Sequence, residues 1–465
     1  MGYPCFVEND GTIGVAPKTG VRWPQIDGLR AFAATLVFLM HAWVILGVNV
    51  AFAFVYKPSL SFTLYAGEET ARTISPFFRQ AGGLGVAVFF AISGFLLYQP
   101  FVRARDEGSK LALKPYFLRR AARIIPAYWA ALIVIGLITG NDHVFTWSGF
   151  VNYFMFGEIW TTLDVSRLID PKPYDPLKVS LTSSFSIINN NPVPVAWTLC
   201  VEVFFYLMLP AWAWLLAKLT SARRRPIRTE LIVIAVVMVL SLAYKAWVIS
   251  TVSEWEYESW LMIPPATIDT FMVGMALACL SVRASRHGWP KLFAAVGRRA
   301  GVCWLLALAA YAALCLIEAQ WQWRADRIES VAGLEARDFF ATLTFAWSEA
   351  RILIVALLLA PAVVGAVKVK GIARVLTSKA VVWIGLVSYG LYLWHMFVLH
   401  QVVDQFGWSP VQVVAVPFVA AGCYEMTLAI AALSWYGIER RVLARVHSIP
   451  LARTLSGTAN KEAVK

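Results

Sequence analysis

A few side chains stand where an apolar chain should not carry them, and their spacing gives them a common chemistry. Ten residues separate Arg30 from His41. Eleven steps of 100° end about 20° short of whole turns, so on a helix the two side chains share a face, with His41 ~16 Å further along. Glu202 follows in Trp197-Thr198-Leu199-Cys200-Val201-Glu202. A carboxylate bonded to one imidazole nitrogen orients the ring and makes the other nitrogen a better base. His41 with Glu202 therefore reads as a general base with its orienting group. Arg120 and Arg123 are three apart and share a face where their helix begins. Beside a helix N-terminus such a pair makes an anion site, and Arg30 lies on the same side of the membrane. Ser93, in Ala91-Ile92-Ser93-Gly94-Phe95, lies at a similar depth to His41. Plainer readings stay open beside these. His41 and Glu202 also read as separate buried polar residues, Ser93-Gly94 as a close-packing device, and the arginines as orientation charges. Asp269, His395 and Glu425 are further ionisable residues in apolar runs, each structural when taken alone.

Apolar helices must position these groups. Of 465 residues, 59% are hydrophobic and 15% charged, with a mean hydropathy of +0.63. A soluble chain has roughly 45–50% apolar and about 25% charged residues, which excludes a soluble enzyme, a disordered chain and a disulfide scaffold. Ten apolar runs, 30–49, 84–101, 124–140, 195–217, 230–251, 263–282, 302–318, 350–367, 381–403 and 411–436, approach the length needed to cross ~30 Å of hydrocarbon. The aromatic stretch 148–158 is too short and reads as re-entrant or interfacial. The fold class is therefore all-α: a polytopic membrane protein of about ten transmembrane helices. Domain organisation follows as an arm over 1–24, a transmembrane domain over 25–445 and a tail over 446–465.

Charge sets the expected orientation. Net charge is 41 − 28 = +13. Segments 102–123, 218–229, 283–299, 368–379 and the tail are rich in Lys and Arg, whereas 252–262 carries three glutamates and no base. This alternation predicts both termini in the cytoplasm. With no soluble module left to host nucleic acid, none is expected as a partner. Glu202 then lies ~10 Å below the outer face and His41 ~16 Å above the inner one, so in ~30 Å of hydrocarbon the two can meet. Segments 50–83, 141–194 and 319–349 read as long outer loops over a substrate site. Trp147, Tyr153, Phe154 and Trp160 read as an interfacial belt or a sugar-stacking surface. The six cysteines form no CxxC, so no metal site is expected and they read as small hydrophobes. The first 29 residues hold no apolar h-region, so no cleavable signal is expected.

Five motifs in order resemble the acyltransferase-3 family of membrane O-acyltransferases. They are Ile26-Asp27-Gly28-Leu29-Arg30 leading to His41, Phe89 to Phe95, Phe117 to Trp129, Trp197-Thr198-Leu199-Cys200-Val201-Glu202-Val203-Phe204-Phe205-Tyr206, and Ser388-Tyr389-Gly390-Leu391-Tyr392-Leu393-Trp394-His395. Thr198 and Gly390 replace common serines, and Val203 replaces a second acidic residue. The soluble SGNH-type esterase domain of some members is not expected here.

The resemblance implies transfer of an acyl group, often acetyl, from cytoplasmic acyl-coenzyme A to a hydroxyl. Acceptors in the family are sugars of surface polysaccharides, glycolipids, peptidoglycan and macrolides. Acyl-CoA (acetyl-CoA) is then a co-substrate, with no resident cofactor, and a multi-pass place in a bacterial inner or plasma membrane follows. Arg30, Arg120 and Arg123 are expected to hold the coenzyme's phosphates, and His41, oriented by Glu202, to deprotonate the alcohol. Ser93, Trp197, Tyr389 and His395 are the expected substrate-binding residues, Ser93 or Trp197 as oxyanion donor. Cys200 sits roughly 200° around the helix from Glu202, which favours direct transfer over an acyl-enzyme. A transporter of a lipid or glycan precursor and a glycosyltransferase using a lipid-linked sugar are the rivals. Acyl-CoA binding through Arg120 and Arg123 would separate the first from an acyltransferase, and essential acidic residues in the outer loops would mark the second.

Overall fold

The computed structural model describes residues 23–47, 61–161, 191–220, 226–251, 260–328, 335–365, 371–406, 416–447 and 452–453. Ten helices among them are long and apolar enough to cross a membrane. They are α1 (Pro24–Ala42), α2 (Ser61–Asp106), α3 (Leu113–Thr139), α4 (Trp197–Thr220), α5 (Pro226–Thr251), α6 (Pro264–His287), α7 (Ala300–Ile328), α8 (Glu335–Val364), α9 (Lys379–Phe406) and α10 (Val416–Ser434). Each overlaps one of the ten apolar runs. Proline sits at the start of α1 and α6, where its missing N–H costs no hydrogen bond. Gly140, left-handed at φ 64°, ends α3 and donates its N–H to Gly136 O.

Two of the three expected outer loops are largely helical. Residues 61–83 belong to α2, which runs 46 residues through Pro76 and Pro100. Within 319–349, α7 continues to Ile328 and α8 begins at Glu335. Once a helix is nucleated, each added residue gains a hydrogen bond, so polar sequence extends it past the apolar run. The third segment, described to Thr161 and from Asn191, starts as broken helix: Trp147–Gly149, a π turn at Phe150–Phe154, and Glu158–Thr161. None of these pieces spans.

Ion pairs sort the helix ends. At one end Arg105 and Tyr98 of α2 both donate to the buried Glu230 of α5, and Arg286 of α6 pairs with Asp106. The Lys- and Arg-rich segments lie here, and it is called the basic end below. Lys110–Leu111 pairs antiparallel with Ala452–Arg453, so the C-terminal end of the described chain reaches it. At the far end Lys245 of α5 bridges Asp269 of α6 and Glu349 of α8, and Arg79 and Gln80 of α2 both donate to Glu318 of α7.

Small residues let the central helices touch. A side chain on Gly274 of α6 would overlap the carbonyl of Ala91, and one on Gly94 would overlap that of Phe271. α2 and α6 therefore pack backbone to backbone, as small-residue faces do in membranes. α1 lies between α2 and α9, and Gly385 of α9 abuts the Asp27 carbonyl.

Glu158 ties the broken helix to the start of α4. It is fully buried, and its Oε2 accepts from Asn191 Nδ2 at 2.9 Å. Asn191 Oδ1 in turn accepts from Val193 N at 2.9 Å. Burial pushes the Glu158 carboxyl up to about 8 against the Asn191 bond. The folded state thus keeps a proton that the unfolded chain releases above about 4.5, so stability should fall as pH rises from about 4.5 to about 8 and level off beyond. Thermal unfolding in detergent across that window should show this slope, and Glu158→Gln should flatten it.

Candidate functional site

The site is assembled on α3 and α4 around two prolines. Pro126 lies inside α3, three residues beyond Arg123. Pro210 lies inside α4 and has no N–H for the carbonyl of Tyr206. Tyr116, on the first turn of α3, donates its hydroxyl to that carbonyl at 3.2 Å. The bond fixes the Tyr206 turn of α4 against the helix that carries Arg120 and Arg123. The Arg120 guanidinium carbon lies 5.9 Å from the Tyr206 ring centre, in cation–π range.

Glu202 is one turn from Tyr206. Its Oε1 accepts from Tyr206 OH and from Ser93 Oγ of α2, both at 2.7 Å. A cavity of about 760 Å³, counted to its open mouth, gathers these groups. Arg30, Arg120, Arg123, Glu202, Tyr206, Ser93 and Tyr389 are its polar lining near one end, and Val86, Phe89, Phe90, Leu96 and Leu97 of α2 supply an apolar wall. Tyr389 OH donates to the Ile124 carbonyl at 2.9 Å, and Tyr392 OH donates to the Val195 carbonyl at 3.0 Å. Thr198 Oγ1 shares a 2.8 Å bond with the same Tyr392 hydroxyl. Glu439, buried in a π turn that continues α10 from Trp435 to Glu439, accepts from Ser434 Oγ at 3.1 Å. It is close enough to act electrostatically on Arg30 and Arg123. Buried Arg120 Nε has no hydrogen-bond partner among the described residues.

Helical rise gives the levels. From the basic end, Arg30, Arg120 and Arg123 lie ~10–15 Å in, Ser93 ~20 Å, and Phe89, Tyr392, His395 and His41 ~20–26 Å. At that deeper level His395 Nε2 lies 3.1 Å from His41 Nδ1. His395 Nδ1 lies 2.8 Å from the Tyr392 carbonyl, and His41 Nδ1 lies 2.9 Å from the Val37 carbonyl. The rings of Tyr392 and His395 stand 5.9 Å apart, and those of Phe89 and Tyr392 6.0 Å. Tyr392 therefore stands between the cavity it lines and the histidine pair.

This arrangement corrects three expectations. No hydrogen bond joins His41 to Glu202 among the described residues, because Glu202 is taken up by Ser93 and Tyr206 and His41 by His395 and its own helix. Similar depth put the two at one level, but α2 and α9 stand between α1 and α4 there. His395 does not line the cavity; it is the partner of His41. Trp197 also turns away, packing against the cluster of Phe90, Cys200 and Phe205. Its neighbour Thr198, 100° around the helix, lines the cavity instead. Arg30, Arg120, Arg123, Glu202, Ser93 and Tyr389 do converge. Tyr206 carried a usable signal, standing four residues after Glu202. Glu439 did not, since in Ile438-Glu439-Arg440-Arg441 it reads as one charge in a basic tail, and only the π turn brings it inward.

Comparison with known proteins points to one family. The acyltransferase domain model of the acyltransferase-3 family matches residues 23–434. Nodulation protein 10 of Rhizobium leguminosarum bv. viciae is 26% identical over 448 residues, covering 93% of this chain and 96% of that protein. Peptidoglycan O-acetyltransferase OatA of Listeria monocytogenes is 24% identical over 194 residues, 41% of this chain and 24% of that protein. Acyltransferase MdmB of Streptomyces mycarofaciens is 27% identical over 207 residues, 44% of this chain and 43% of that protein. No solved structure matches.

Tyr116→Phe removes the one hydrogen bond that, among the described residues, meets the carbonyl Pro210 leaves open. Leaving a buried acceptor unsatisfied costs about 1–3 kcal/mol, so the variant should unfold at lower temperature in detergent than wild type. Adding Pro210→Ala, which restores an N–H to that carbonyl, should recover part of the loss.

Proposed function

Because the chain belongs to the acyltransferase-3 family, we propose that it moves an acyl group, acetyl in the first instance, from cytoplasmic acyl-CoA to a hydroxyl of a sugar, glycolipid, cell-envelope polysaccharide or macrolide. The basic end is then cytoplasmic, as the positive-inside rule reads it, in a bacterial inner or plasma membrane. The carrying observation is the convergence of Arg30, Arg120 and Arg123 on one cavity whose lining residue Tyr392 stands against the histidine pair just outside it. Three guanidiniums line the cavity with one carboxylate, Glu202, and Glu439 acts on two of them from beside it, so positive charge is left for the coenzyme's phosphates. Arg120 Nε adds a donor that nothing among the described residues satisfies. The apolar wall of α2 suits the pantetheine arm, which carries the thioester toward His41.

Transfer then needs a base and a leaving group. His41 takes the proton of the acceptor hydroxyl as its oxygen attacks the thioester carbonyl. The carbon–sulfur bond breaks, and the same proton passes to the thiolate, giving ester and free coenzyme A. Ser93, Thr198 and Tyr392 are the hydroxyls nearest this route, and Ser93 is held by Glu202. In this reading Glu202 keeps the cavity's arginines and Ser93 in register and is not the orienting group of His41. The relatives' names, peptidoglycan O-acetyltransferase among them, support acetyl as the group and the cell envelope as the acceptor's place.

Arg120→Ala and Arg123→Ala should each raise the KM for acetyl-CoA by about 10- to 100-fold, the loss expected for a charge-assisted hydrogen bond of about 1.5–3 kcal/mol, with a smaller effect on kcat. Lysine in either place should restore only part, lacking the planar fork. His41→Ala should lower kcat by about 10²–10⁴ with donor binding retained. Coenzyme A release from labelled acetyl-CoA, with a crude glycolipid extract of the host's membranes, reads all three. A His41→Ala protein that transfers at the wild-type rate would remove His41 as the base.

A further inference from the structure

The histidine pair can be read down to its protons. His395 Nδ1 lies 2.8 Å from the Tyr392 carbonyl and 3.2 Å from that of Leu391. Carbonyl oxygens only accept, so Nδ1 of His395 carries a hydrogen. In the neutral ring Nε2 then bears the lone pair. His41 Nδ1 lies 3.1 Å from that lone pair and 2.9 Å from the Val37 carbonyl. Both partners are acceptors, so Nδ1 of His41 is also protonated, and its single hydrogen is shared between them. The bare nitrogen of His41 is therefore Nε2. The opposite arrangement, with His395 Nε2–H donating to His41 Nδ1, would set the Nδ1 lone pair against the Val37 carbonyl oxygen with no hydrogen between them.

From this geometry we propose that His395 is the positioning residue of the reaction, fixing the tautomer and direction of His41 so that Nε2 is the nitrogen that takes the acceptor's proton. The assignment rests on His41 being the base. When Nε2 gains the proton, the ring becomes cationic, and its Nδ1–H bonds to His395 Nε2 and Val37 O strengthen. A neutral imidazole thus does what a carboxylate does in a histidine–acid pair, without a second charge in the bilayer. It is itself held: the ring is buried, its Nδ1–H is fixed to the α9 backbone, and Phe38 and Tyr392 stand against it at 6.3 and 5.9 Å. The groups around the pair are few. Val37 and Phe38 face it from α1, Leu391 and Tyr392 from α9, and Tyr424 of α10 backs Phe38 at 5.0 Å. Among the described residues, His400, exposed five residues further along α9, is the remaining titratable group that acts on both rings, with Asp404 beside it.

The test uses the purified full-length protein with labelled acetyl-CoA and the same glycolipid extract as probe acceptor. His395→Phe keeps a ring and removes the acceptor nitrogen, whereas His395→Gln offers an amide oxygen near the place of Nε2. We expect kcat to fall about 10- to 100-fold in His395→Phe, as when an orienting partner of a working histidine is lost, with the acetyl-CoA KM within about twofold of wild type. His395→Gln should recover most of that kcat. A merely structural His395 would not give this order, and size-exclusion profiles identify a variant that has not folded. Nitrogen-15 spectra of histidine-labelled protein supply a readout independent of turnover: the His41 signal should report a protonated Nδ1 and bare Nε2 in wild type, and a tautomer mixture in His395→Phe. Wild-type kcat in folded His395→Phe, or a bare His41 Nδ1 in the wild-type spectrum, would overturn the assignment. A fully active His41→Ala protein would instead overturn the underlying choice of base, whatever tautomer the spectra show.

Discussion

Three arginines enter the helical bundle from α1 and α3, and hydrocarbon gives each of them two options: a counter-charge, or a path for the head group back to water. The cavity supplies both. Glu202 from α4 and Glu439 from the π turn after α10 act electrostatically on Arg30, and Glu439 also on Arg123, while the cavity is open enough to admit water to what they do not balance. Much of the local structure follows from this. Glu202 must be held, so Ser93 and Tyr206 bond it. Tyr206 must be held, so Tyr116 bonds its backbone where Pro210 has removed the helix's own donor. The chain of dependence runs through α2, α3 and α4, and each link is a hydrogen bond between different helices or one turn apart on the same helix.

Elsewhere the same constraint has a structural answer. Lys245 with Asp269 and Glu349, Arg79 with Gln80 and Glu318, and Arg105 and Tyr98 with Glu230 are pairings in which each acid is met directly by a donor on another helix. They clamp α5, α6, α7 and α8 onto α2. The difference from the cavity is instructive. There, Arg120 keeps a buried donor without a partner, whereas these clusters are closed on themselves. An intramembrane charge that is fully answered is mainly a staple, and one left partly unanswered marks a place for a ligand.

How much could be read from the chain divides along physical lines. Periodicity and apolar run length located all ten helices, because a spanning helix is dictated by the thickness of hydrocarbon. Helix lengths beyond the apolar runs were not legible, since propagation does not need apolar residues, and so 61–83 and most of 319–349 looked like loops. Arg30, Arg120, Arg123, Glu202, Ser93 and Tyr389 were legible as cavity residues from their type and from the motifs that carry them. Pairing was not. Depth along an axis can be counted in steps of 1.5 Å, but azimuth in the bundle cannot. Thus Glu202 was given to His41 on level alone, while the neighbour that His41 meets is His395, on a helix more than 350 residues away in sequence. Trp197 and Thr198 show the same limit within a single helix. One residue of rotation decides which of them faces the cavity.

The separation between the arginines and the histidine pair has a consequence for the chemistry. A base in contact with Glu202 would also stand within the field of three guanidiniums, which disfavours the imidazolium that must form during proton transfer. Placing the histidines ~10 Å deeper, behind the Tyr392 ring, weakens that field on them, and in the proposed reaction it leaves the coenzyme's anionic head where the field is strongest. In the proposed reaction the flexible arm of the donor bridges the gap. A neutral His395 suits this division better than a carboxylate would. A carboxylate at that depth would need a positive partner of its own to be tolerated, and that partner would again oppose protonation of His41. An imidazole bonded to a main-chain carbonyl orients the base and accepts its hydrogen while adding no net charge to the interior.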